Sequence, residues 1–170
     1  MLDFLFRRLT DQPNRGAELF AAVTGWAREP HGYVEGKVPD TIDGRFAVLA
    51  TLLALTLVRL EQNCDRANRA SVALTERFIE VMEVEHRELG LGDPSLGKKV
   101  RKLVGSLARR TELWRSATAS QVGWDESTVQ SLYNTVPSVD ALVHSAAALN
   151  RWHKQLESAA LEAIEQGEIR

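Results

Sequence analysis

Apolar residues recur at three- and four-residue intervals along most of the chain, and no run of strict alternation marks a strand. The pattern predicts an all-α protein. Leu2, Phe4, Leu5, Phe6 and Leu9 open it as a short amphipathic segment, 1–13, ended by Pro13. A helix over about 14–28 follows, with Leu19, Phe20, Val23 and Trp26 to one side. Residues 29–39, rich in Gly and Pro, read as a connector. Asp40-Thr41 supplies an N-cap, and Asp43 a first-turn acid, for a helix reaching about Asn63. Its stretch 46–58 is apolar on every side, the mark of a helix buried at the centre.

A polar turn at 65–71 then leads into a helix over about 72–89. Its inward face is Leu74, Phe78, Val81 or Met82, and Leu89, and Gly90 reads as its left-handed cap. Asp93-Pro94, a cap residue followed by proline, starts the next helix. Leu96, Val100, Leu103, Leu107 and Trp114 form one stripe along it. A short helix begins at Trp124 and ends near Asn134, before Pro137. Ser138 caps a long last helix that runs to Gly167. Val139, Leu142, Val143, Ala146, Leu149, Leu156, Ala160 and Ile164 are its predicted inward residues. The expectation is a single domain over 1–170, a bundle of about six helices around a buried apolar central helix.

The composition suits that reading: 170 residues, 44% hydrophobic and 26% charged, can bury a real core. A formal net charge of −2 exerts no global pull toward nucleic acid or anionic lipid, so such attraction requires a local patch. The apolar stretch 46–58, bracketed by Arg45 and Arg59, falls short of the roughly 20 residues of a bilayer span. The opening segment lacks the apolar core and cleavage site of a secretory signal, and Asp3 and Asp11 speak against a transit peptide. A cytoplasmic location is expected. The single cysteine, Cys64, excludes an internal disulfide and reads as an inert structural thiol.

Two motifs resemble chemistry without completing it. Gly92-Asp-Pro-Ser-Leu-Gly97-Lys98-Lys99 approaches a phosphate-binding loop, but Lys99 stands where a magnesium-binding hydroxyl is needed, and Asp93-Pro94 starts a helix inside it. Glu83-Val-Glu-His86 is half of a di-iron bundle site, and no second Glu-x-x-His pair exists; an exposed acidic helix face is the expectation. No nucleotide, metal or other cofactor is expected from either. The helix carrying Glu76, Glu80, Glu83, Glu85 and Glu88 precedes one carrying Lys98, Lys99, Arg101, Lys102, Arg109, Arg110 and Arg115. These two helices are expected to complement each other across an antiparallel hairpin, with a basic docking surface as the alternative. No aromatic residues interleave the cations as base-stacking platforms do, so nucleic acid is not expected. Arg110 falls in the inward stripe and is expected to meet Asp40, Asp43 or Asp93.

Val38-Pro-Asp-Thr-Ile-Asp-Gly-Arg-Phe46 ahead of an apolar helix resembles one block of the ubiquinol–cytochrome c chaperone family. His86-Arg-Glu-Leu-Gly-Leu-Gly-Asp-Pro-Ser-Leu-Gly-Lys-Lys-Val100 resembles a second, in the right order and at the right separation. Leu132-Tyr-Asn134 is a weaker third, and the resemblance covers about 26–135. Arg110 matches the family, whereas Arg109 replaces a glycine that members often carry. The resemblance implies a non-catalytic assembly chaperone for ubiquinol–cytochrome c reductase, respiratory complex III. Its partner would be newly made cytochrome b or another complex III subunit. A bacterial-type member would work in the cytoplasm, with peripheral contact at the inner membrane. The alternative is a peripheral membrane or regulatory helical adaptor with a different client. Asp40, Arg45, Asp93, Lys98, Lys102 and Arg110 are the expected partner-binding residues, and packing alone does not ask for Arg45, Lys98 and Lys102, which can reach solvent.

Overall fold

A computed structural model describes residues 16–61, 64–88, 90, 93–120 and 122–169, without the side chains of 93 and 94. The amphipathic segment 1–13 and Leu89 therefore lie outside the described residues. Regular structure among the described residues is all helical, in eight helices rather than about six. They are α1 (Ala17–Ala27), α2 (His31–Val34), α3 (Ile42–Leu60), α4 (Asp65–Glu88), α5 (Asp93–Ser120), α6 (Trp124–Leu132), α7 (Val139–Ser158) and α8 (Leu161–Glu165).

The apolar stretch forms the axis of the bundle. Residues 50–57 of α3 are all buried, and α1, α4, α5, α6 and α7 pack around them. Thr51 and Thr56 lie in this apolar shaft without a stranded hydroxyl. Each donates to the carbonyl four residues back, at 2.7 Å to Ala47 and 2.8 Å to Leu52. The caps fall where expected: Thr41 Oγ1 accepts from the Gly44 N–H at 3.1 Å, and Ser138 Oγ from Ala141 at 3.3 Å. Gly90 adopts φ +83°, as a left-handed cap requires. One apolar core draws on α1 and every helix from α3 to α8.

Four expectations need correction. The segment 65–71 is helix, not turn. Its inward residues Ala67 and Ala70 are small, and Cys64 Sγ accepts the Ala67 N–H at 3.4 Å at the helix start. Cys64 is thus an exposed cap. The connector holds a short helix, α2. The last helix breaks at Ala159, which turns extended. Arg59 of α3 donates to the carbonyls of Leu156 at 2.8 Å and Ala159 at 3.1 Å, satisfying the end of α7. Finally, Val139 and Val143 are 77% and 63% exposed. The buried face of α7 is instead Ala141, Ser145, Ala146, Ala148, Leu149, Trp152 and Leu156, and Ala160 too is exposed.

Candidate functional site

Two adjoining concavities open where the N-terminal half of α3 meets α5, sharing Asp43, Phe46, Lys99 and Leu103. The first, about 280 Å³, is a trough with Tyr33, Ile42, Leu49 and Met82 among its walls, together with Arg28, Arg45, Glu85 and His86. The second, about 330 Å³, lies between the start of α3, one face of α5 and the end of α6. Lys99, Lys102, Arg109 and Arg110 line it against a single acid, Asp43.

The expected partner-binding residues separate on this surface. Arg45 lines the trough, and Lys102 and Arg110 line the cationic concavity. Asp40 is tied to Arg45 by a 2.6 Å ion pair, which holds its carboxyl below the usual range. The Arg45 guanidinium also stands 5.8 Å from the Tyr33 ring centre. Lys98 is exposed on α5 and lines neither concavity, and the side chain of Asp93 lies outside the described residues. Lys99, not among the six expected partner-binding residues, lines both. Its spacing from Lys102, Arg109 and Arg110 follows the period of one helix face, and that was the signal to use.

Arg110 meets none of the carboxylates expected for it. Its Nε and one terminal nitrogen donate to the Ser131 carbonyl at 3.2 and 2.9 Å, and the other to Ser106 Oγ. Ser131 belongs to the last turn of α6, whose carbonyls lack helical partners and form the negative end of the helix dipole. The cation therefore closes a helix end while lying over Phe46, 5.9 Å from its ring centre. Burial, and then the neighbouring Arg109 charge, push its pKa down.

Other motifs resolve as structure. Gly97-Lys98 lies within α5, so no loop wraps a phosphate there. Mg-ATP is expected to give no binding heat in isothermal titration, and micromolar affinity abolished by Lys98→Ala would overturn that. His86 is buried rather than part of an exposed acidic face, its Nδ1 donating to the Met82 carbonyl at 2.8 Å. No cluster of three or more metal-ligating side chains exists among the described residues. No ion pair joins α4 to α5 among the described residues. Arg77 pairs with Glu80 inside α4, while Arg115 of α5 reaches Glu61. Glu76, Glu80, Glu85 and Glu88, like Lys98, Arg101, Lys102 and Arg109, are exposed, each set on its own helix.

The chain's two tyrosines pin the surroundings of the groove. Tyr33 Oη donates to the Ala27 carbonyl at 2.6 Å; Tyr133 Oη donates to the Gly36 carbonyl and pairs with Ser145 Oγ at 2.7 Å. Burial raises both phenol pKa values. Their stabilising contribution is complete below the ordinary value of about 10 and is lost as pH rises through the raised one. Spectrophotometric titration should show both ionising above the range they take in denaturant.

This fold and groove define a helical scaffold with an open, charged face. The family model described as ubiquinol-cytochrome C chaperone matches residues 34–160, and the chain belongs to that family. The match takes in α3 to α7, reaching beyond the expected 26–135 at its C-terminal end. The chain is also similar to the structure titled "Crystal structure of the Cbp3 homolog from Brucella abortus". The TM-score is 0.77 at 22% identity, covering 99% of this chain and 95% of that one, a likeness of fold. No curated protein sequence matches the chain. Among the described residues no helix is long and apolar enough to cross a membrane.

Proposed function

We propose that this chain is a non-catalytic assembly chaperone for ubiquinol–cytochrome c reductase, respiratory complex III, that holds newly made cytochrome b at the cytoplasmic face of the inner membrane. Family membership over 34–160 carries the reading, and residues of both family-like sequence blocks, among them Ile42, Arg45, His86 and Lys99, line the groove between α3 and α5. The largely apolar trough, with Ile42 in its wall 74% exposed, suits an apolar client segment held while its final partners are absent. Arg45, paired with Asp40, lines that trough, while Lys102 and Arg110 line the cationic concavity adjoining it.

Deleting the gene is expected to lower haem-b absorbance and ubiquinol–cytochrome c reductase activity in membranes, and the intact chaperone should co-purify with cytochrome b. Normal complex III in the deletion strain would overturn the reading in favour of a helical adaptor with another client. Arg45→Glu, at a side chain 63% exposed, should weaken cytochrome b capture several-fold. Stability should change by less than about 0.5 kcal/mol. Unchanged capture would remove Arg45 from the docking surface.

A further inference from the structure

The cationic concavity gathers more positive than negative side chains in its walls. Four cations face one acid there, in a chain whose net charge is −2. Lys99, Lys102 and Arg109 make no ion pair among the described residues, and Arg110 holds its charge half-buried against serine oxygens. Thr41, Asp43 and Gly44 bring the start of α3, the positive end of a 19-residue helix, to the same space. The walls come from the start of α3, from α5 and from the end of α6; Glu85 of the acidic helix α4 lines only the adjoining trough. Like charges gathered at a low-dielectric wall repel one another until an anion joins them.

We propose that this concavity takes the phosphate of an anionic phospholipid headgroup and docks the chaperone on the bilayer surface. The inference rests on the membrane-facing role proposed above. A client loop is the poorer occupant, because cytoplasmic loops of membrane proteins are rich in Lys and Arg and this surface repels them. The anionic lipids of that leaflet are attracted by each basic residue about fivefold. Ile42, exposed between the lining residues Thr41 and Asp43, stands ready to enter the headgroup layer.

The test is co-sedimentation of the full chain with vesicles of phosphatidylglycerol in phosphatidylcholine, against phosphatidylcholine alone. Binding is expected to the anionic vesicles only and to weaken with salt. The double variant Lys102→Glu/Arg109→Glu, both positions exposed, should bind at least about thirty-fold more weakly. Thermal melting confirms its fold, and Lys154→Glu on α7 should bind like the unaltered chain. Equal binding to both vesicles, or an unaffected double variant, overturns the proposal. So does binding of inorganic phosphate or a single-stranded oligonucleotide without vesicle binding. Loss of complex III in the deletion strain is read separately. That loss without vesicle binding overturns the headgroup site and leaves the chaperone role standing. Vesicle binding with normal complex III supports the site and overturns the role.

Discussion

Trp152→Ala is expected to lower the unfolding free energy by about 3–5 kcal/mol, among the largest effects any single truncation of this core should give. Trp152 is fully buried, with its ring 4.8 Å from that of Trp26. It fills the space between α7 and the central helix, where its indole N–H donates to Leu52 O and Thr56 Oγ1, both at 3.3 Å. Removing it strands no polar group, because the Thr56 hydroxyl already donates to Leu52 O at 2.8 Å. The loss is therefore one of packing and cavity rather than of an orphaned hydrogen bond. Trp152→Phe keeps most of the volume and should cost far less. Urea unfolding midpoints measure both, and a Trp152→Ala cost under about 1 kcal/mol would show that the bundle collapses into the gap.

Gly44→Ala should destabilise by about 2–4 kcal/mol, combining overpacking with loss of a cap. A Cβ at Gly44 would lie 1.9 Å from the Pro39 carbonyl oxygen and 3.5 Å from Thr41 Oγ1. That carbonyl is fixed, since it accepts the Thr41 N–H at 2.8 Å, so the turn itself has to open. Opening it releases the Thr41 cap on Gly44 and displaces the Asp40–Arg45 pair beside the groove. Melting temperature and client capture should fall together. Gly97→Ala is the contrast. The nearest atom to its Cβ is the end of Arg101 at 4.0 Å, and the site is interior to α5. Alanine there should raise stability by about 0.5–1 kcal/mol.

What the sequence made legible was local. Thr41 and Ser138 cap the helices they precede because the capping oxygen reaches only three residues on. The central helix was readable because apolar residues fill every side of it. The rest depended on distant partners. Arg59 ends α7 from 100 residues away, and nothing near Ala159 announces the break. Ala67 and Ala70 bury a helical turn whose small residues leave a faint pattern. On α7 the buried stripe is defined by close approach of Ala141, Ser145 and Ala148, so the larger Val139 and Val143 turn outward. At the site, Arg45 and Lys102 were identifiable as cations that packing does not require. The partner of Arg110 was not, because a backbone carbonyl is an acceptor carried by every residue alike.

The placement of α3 also determines when this protein can fold. Its apolar shaft is complete once residue 60 has left the ribosome, yet the Trp152 that closes over Leu52 lies 100 residues beyond Leu52. At about 5–20 residues per second, synthesis leaves that shaft without its last covering helix for roughly 5–20 seconds. Partial docking onto α1, α4 and α5 shortens the exposed perimeter but leaves the α7 side bare. A protein proposed to shelter an unfinished membrane subunit thus begins as an unfinished greasy helix itself. Truncations ending before α7 should aggregate, and those ending after Leu156 should remain in solution.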